Sequence, residues 1–334
     1  MRFLPLTSKT FKLASAVTLP IALAFVVRRS FTSTMAPSLA SLRTSNVEFV
    51  GNLQGKPVAV FVGGTSGIGQ GRAHIVIVGR NEAAAKDIIS HFPQVPASEQ
   101  GQWTYEFVKC DATLMKEVKR ASSEILSRHP KINYLVMSPG YFTTSGRDES
   151  EEGIDKKLAV HYYARWKFTE ELLPALKAAK AQGEDARVLT VLAAGKGGKI
   201  DVNDLGLKTG FSLRAAAEQS VTYNDYLVES FAERNPDITF AHAYPGIVRT
   251  NILSSSRTPW LRVLNPLMTV LGPLLTVTIE ECGTYLWHGL LANAKEPGAY
   301  RIDNNGDVIR EVQYSGDKEV AEKLWQHTVE ATRV

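Results

Sequence analysis

Residues 58–62 (Val-Ala-Val-Phe-Val) form an apolar run that meets a glycine cluster at Gly63, Gly64, Gly67 and Gly69. A buried strand that ends in such a cluster normally turns straight into a helix. The free amides at that helix's N-terminus face phosphate oxygens, and the pattern points to a dinucleotide turn. Here only Gln70, Gly71, Arg72 and Ala73 separate the turn from the next apolar run, residues 74–78. A parallel crossover normally takes about a dozen residues or more. The spacing therefore predicts a first βαβ unit without its helix, and a spacer too short to return the chain for a parallel second strand. A splice form or misjoined transcript that lost about one helix is the simplest origin of such a spacing.

Beyond residue 74 the apolar periodicity alternates between strand and helix. Strands are expected at 76–78, 103–108 (Trp103, Tyr105 and Phe107 on one face), 132–137, 187–192, 238–244 and 299–302. Helices are expected at 82–92, 115–128, 154–180, 213–234, 279–291 and 318–329. Leu158, Tyr162, Trp166, Leu172, Leu173 and Leu176 make the inner stripe of the long helix. This order predicts one doubly wound α/β domain of Rossmann-like type, a single parallel sheet over residues 46–334. An apolar, proline-broken lid is expected at 247–277.

Residues 1–34 carry Arg2, Lys9, Lys12, Arg28 and Arg29 and no acid. They account for the excess positive charge, since the remainder holds 33 basic against 34 acidic side chains. A neutral body gives no electrostatic case for nucleic acid. Residues 13–27 are almost wholly apolar but are interrupted by Pro20, and at ~1.5 Å per residue they fall short of a ~30 Å bilayer core. The composition fits a mitochondrial presequence, with a secretory signal or short membrane anchor nearly as good. Initiation at Met35 with a cytoplasmic product is the equal alternative, and either way residues 1–45 are expected to lie outside the fold. The two cysteines, Cys110 and Cys282, are too few for a disulfide framework. No histidine–cysteine spacing suggests a metal site.

With these elements placed, residues 56 to about 310 resemble the short-chain dehydrogenase/reductase family, in particular fungal members akin to its retinol-dehydrogenase-like branch. Four segments carry the resemblance: the turn Gly63-Gly-Thr-Ser-Gly-Ile-Gly69, Asp111 after the third strand, Gly197-Gly-Lys-Ile-Asp-Val-Asn-Asp-Leu205, and Pro245-Gly-Ile-Val-Arg-Thr250. The resemblance implies a nicotinamide cofactor held by Gly63, Thr65, Ser66, Gly67, Ile68 and Gly69 of the turn. It adds Asp111 at the adenine, Ser138 and Gly140 after the fourth strand, and Val248 and Thr250 in the segment that closes over the nicotinamide. An acid at the end of the second strand would select a free ribose 2′-hydroxyl, and a cation accepts a 2′-phosphate. Arg80 and Asn81 stand there, so NADP is expected over NAD.

The resemblance also implies a tyrosine–lysine pair on one helix, a serine after the fifth strand and an asparagine on the long helix. Counting back from Pro245-Gly246, the tyrosine position falls on Ala217 and the lysine position on Val221. The serine position falls on Ala193 and the asparagine position on His161. Tyr223 and His161 remain as candidate proton donors, and core packing is the alternative for Tyr223 and Tyr226. Lys196 and Lys199 lie in the loop after the fifth strand, within reach of the site. Two functions stay open. One is an NADP-dependent oxidoreductase acting on a small apolar carbonyl or alcohol, with specialised metabolism as its setting. The other is a relative that binds nucleotide or a partner without catalysis. The apolar lid and N-terminus allow membrane contact, and family members often form dimers or tetramers.

Overall fold

A computed structural model describes residues 38–52, 55–63, 73–92, 103–140, 143–248 and 276–334. The glycine turn beyond Gly63, most of the expected lid and residues 1–37 lie outside the described residues. Seven strands form one wholly parallel sheet: β1 (Val58–Gly63), β2 (His74–Gly79), β3 (Tyr105–Lys109), β4 (Tyr134–Ser138), β5 (Arg187–Val191), β6 (Thr239–Ala243) and β7 (Gly298–Ile302). Their order is β3-β2-β1-β4-β5-β6-β7. The order reverses between β1 and β4, and at that switch point the strand C-termini open a crevice for a ligand. The expected doubly wound α/β class is the observed one.

One expectation is overturned. β2 pairs in parallel with β1, Val58 opposite His74 and Val62 opposite Val78, so the short spacer does bring the chain back. The return covers five strand residues, about 17 Å at ~3.3 Å each. The ten residues between Gly63 and His74 reach up to roughly 33 Å when extended. The length rule applies to crossovers that wind a helix; ten residues have the reach to return without one.

Strand alternation divides the core between two faces. Val58, Val60, Val62, Val76 and Val78 pack towards α3 (Met115–Arg128), α4 (Ala164–Ala181), α5 (Leu213–Arg234) and α7 (Lys318–Ala331). Ala59, Phe61, Ile75 and Ile77 pack on the opposite face with α2 (Glu82–Ser90) and α6 (Ile279–His288). On this second face Phe49 from α1 (Leu39–Gly51) packs into the cluster. The Arg187 guanidinium lies over its ring at 5.7 Å. Leu42 of α1 is 2% exposed, and one compact unit runs from Leu42 to Val334.

The helix boundaries follow local chemistry. Thr278 and Glu281 cap α6 reciprocally, and Asn81 caps α2. The long helix before β5 is interrupted. A short turn at Lys156–Leu158 passes into a π-helical turn at Ala159–Tyr163, and α4 follows. Such bulges often sit at functional sites, and this one contains His161. None of the described helices is long and apolar enough to cross a membrane.

Candidate active site

A cleft of about 300 Å³ opens at the C-terminal ends of β1, β2, β3 and β4. It brings together Gly63, Arg80, Asn81, Asp111 and Gly140 from the expected cofactor set, with Pro139, Cys110 and Val160 completing the walls. Gly63 has φ +95, a conformation open to glycine, and a Cβ there would stand 2.5 Å from the Pro139 nitrogen. The backbone after β4 thus closes against the end of β1 without a side chain between them. Ser138 is the register partner of Gly63 on the neighbouring strand.

Asn81 Oδ1 accepts the Ala84 N–H at 3.1 Å, which fixes the start of α2 beside the exposed Arg80. Asp111 Oδ1 accepts the Thr113 N–H at 3.0 Å and the Thr113 hydroxyl at 2.8 Å, holding the turn after β3. Val248 forms an isolated parallel bridge with Val277 that joins the two ends of the lid segment. Thr65, Ser66, Gly67, Ile68, Gly69 and Thr250 lie outside the described residues. A glycine-lined backbone approach, a cation at the end of β2 and an acid after β3 fit the phosphate, ribose and adenine groups of a dinucleotide. A larger groove of about 630 Å³, lined by Lys177, Lys180, Arg234 and Asp237, lies where α4 and α5 end, away from this cleft.

Neither sequence-derived proton donor suits the role once it is placed. Tyr223 is fully buried, its hydroxyl 2.8 Å from the Leu205 carbonyl and 2.7 Å from Gln219 Oε1, and its ring 5.0 Å from that of Tyr162. Burial, reinforced by Tyr163 and Tyr162, raises its pKa far above the ordinary phenol value. It is a core residue, as is Tyr226 at 3% exposure, and it lines no part of the cleft. The His161 carbonyl accepts Asn224 Nδ2 at 2.7 Å. Its imidazole is pushed down to about 3 by burial and then by the cations Arg165 and Lys157. It stays neutral at physiological pH and cannot supply the imidazolium that an acid catalyst needs.

The other expected catalytic positions carry no acid–base group. Ala217 is exposed on α5 and Val221 is buried. Ala193 donates its N–H to His242 Nε2 at 3.3 Å. Lys196 lies with its Nζ 4.2 Å from the ring centre of Tyr244, tying the loop after β5 to the end of β6, and Lys199 is exposed.

Two buried polar groups escaped the sequence reading. His242, fully buried on β6, places Nδ1 2.8 Å from Asp225 Oδ1, and Asp225 Oδ2 accepts the Gly195 N–H at 3.2 Å. Since Nε2 accepts from Ala193, the proton sits on Nδ1 and the ring is neutral; burial lowers its pKa accordingly. Arg301 completes the set through Asp225 and Glu229. The second group is Arg165, 1% exposed on α4. The signal for both was a polar residue inside an apolar stripe: Arg165 follows Leu158 by seven positions, and His242 stands between Ala241 and Ala243.

The short chain dehydrogenase model matches residues 57–197. The oxidoreductase AN1596 of Emericella nidulans is 32% identical over 335 residues, covering 87% of this chain and 97% of that protein. The chain belongs to the short-chain dehydrogenase/reductase family. Human polyprenol dehydrogenase is 24% identical over 83% of this chain and 85% of its own length. Among solved structures, the NADPH-bound carbonyl reductase from chicken fatty liver shares the fold with a TM-score of 0.50 and 16% identity, covering 77% of this chain and all of that one. The short-chain dehydrogenase/reductase fold thus accounts for the parallel sheet, and membership makes this an oxidoreductase-family chain with a small-molecule substrate. Ala193, Ala217 and Val221 set it apart from the tyrosine–lysine pattern.

Proposed function

We infer that the chain is a nicotinamide-dependent oxidoreductase that prefers NADP(H) and acts on a small apolar carbonyl or alcohol. The carrying observation is the cleft at the β1/β4 switch point, where Gly63, Asp111 and Gly140 share one wall system with Arg80 and no acid ends β2. A 2′-phosphate placed beside an exposed guanidinium and the capped N-terminus of α2 gains charge-assisted hydrogen bonds. When bound, the coenzyme supplies the hydride; the protein's part is to seat it and exclude water. An apolar substrate is supported by the richness of residues 261–277 in leucine and valine, and by the likeness to a protein named for oxidising polyprenol.

The vacated tyrosine, lysine and serine positions favour one second reading, a relative that binds nucleotide without turnover. Calorimetry of the full chain with NADPH and NADH, followed by a panel of ketones, aldehydes and alcohols, separates the two. Tighter NADPH binding with turnover is the expected result. Binding without turnover would establish the second reading. No heat with either coenzyme would remove both.

A further inference from the structure

The Arg165 guanidinium is buried with neutral partners alone. Its Nε donates to the Val160 carbonyl at 3.3 Å. One terminal nitrogen donates to Thr190 Oγ1 at 2.6 Å and to the Val191 carbonyl at 2.9 Å, and the other to the Pro139 carbonyl at 2.9 Å. Among the described residues no carboxylate pairs with it. The buried acids among the described residues, Asp155 and Asp225, are engaged elsewhere. Asp155 accepts the N–H groups of Asp148, Lys157 and Leu158 and lies 3.7 Å from Lys157 Nζ. Asp225 serves His242, Arg301 and Gly195. A buried cation without a counter-charge is costly, and chains seldom keep one unless something repays it.

Burial draws the arginine's pKa down to about 9, still well above neutrality, so the charge persists in the fold. Burial chiefly lowers the pKa values of His161 and His242, and the Arg165 charge lowers them further. Two of its acceptors, Pro139 and Val160, are walls of the cleft at the switch point. The guanidinium therefore stands one hydrogen bond behind the surface a ligand would touch, and its field falls on the space between β1 and β4.

We propose that Arg165 is the internal counter-charge for an anionic ligand in this cleft, a phosphate-bearing dinucleotide, acting through the cleft wall without touching it. The proposal rests on the nucleotide reading above and names the residue that the ligand's charge compensates. Arg165 is a positioning and electrostatic residue. Its four donors also join the ends of β4 and β5 to the π-helical turn, so charge and scaffolding have to be separated by experiment.

Arg165→Gln removes the charge and part of the hydrogen bonding, while Arg165→Lys keeps the charge and loses the fork. Affinity for NADPH is measured by calorimetry on the full-length chain at several salt concentrations. The expected result is about a tenfold loss in R165Q and a change within about threefold in R165K. Tenfold is the order for one unit charge at roughly 10 Å and an effective dielectric of about 20, after some screening. The wild type should also lose affinity with added salt more steeply than R165Q. Equal losses in both variants would mean scaffolding alone, and unchanged affinity in R165Q would remove the charge argument; either overturns the proposal. If R165Q fails to fold, R165K decides alone, a tenfold loss counting against and near-wild-type affinity for. Absence of NADPH binding to the wild type would instead strike the nucleotide reading itself.

Discussion

The structure makes a quantitative statement about His161 that acid should expose. Its imidazole titrates near the ordinary value of ~6.5 in the unfolded chain and near about 3 in the fold. The first cause is burial and the second is repulsion by Arg165 and Lys157. Between those values the unfolded state binds the extra proton, so this group's contribution is fully present above pH ~6.5 and is lost as pH falls towards the folded value. At pH 5 the unfolded histidine is roughly 97% protonated and the folded one about 1%, a loss of about 2 kcal/mol. A folded value one unit higher changes that figure little, since at pH 5 almost all the titration belongs to the unfolded side. His161→Asn puts a side chain of similar polarity in place without the titration. The assay is urea unfolding of wild type and H161N at pH 7.5 and pH 5.0. The wild type should lose about 2 kcal/mol more than the variant over this interval, the other depressed histidines cancelling in the comparison. Equal losses in both proteins would show that His161 is not desolvated beside those cations, and the argument against it as an acid catalyst would go with it.

Other outcomes follow from the same geometry. Gly63→Ala, at φ +95 and with its Cβ 2.5 Å from a backbone nitrogen, should cost about 2–3 kcal/mol and weaken NADPH binding, read by urea unfolding and calorimetry. Arg80→Glu should reverse the coenzyme preference from NADPH towards NADH, measured as the ratio of dissociation constants. Asp225→Asn leaves Arg301 short of a counter-charge and weakens the acceptor held by His242 Nδ1–H, and should destabilise the fold by about 3 kcal/mol in the same unfolding assay. Tyr223→Phe removes a hydroxyl bonded only in the core among the described residues, so turnover, where found, should stay within about twofold of wild type while stability falls by about 1 kcal/mol.

Local pattern was enough to read the architecture. The valine-rich runs stop one residue short of the ends of β1 and β2, and the helical periods of 115–128 and 213–234 coincide with α3 and α5 to the residue. Arg80, Asn81 and Asp111 were legible as cleft residues because a strand's C-terminal end is a local feature, and parallel sheets collect such ends at one edge. The return from β1 to β2 was misjudged because a length rule drawn from helical crossovers was applied where ten residues already have the reach to bring the chain back in parallel. Composition showed the targeting character of the N-terminus but not the burial of Leu42 or the packing of Phe49 against the sheet, which are long-range contacts.

By itself the sequence determined the alternation of strand and helix, the parallel sheet and the cation at the end of β2. All of these depend on neighbours a few residues apart. Only the tertiary structure decided that Tyr223 belongs to the core, that His161 is neutral, and that Arg165 carries a buried charge behind the cleft wall. Those states come from desolvation and from partners far along the chain, such as Pro139 and Thr190 for Arg165, which no short-range pattern encodes.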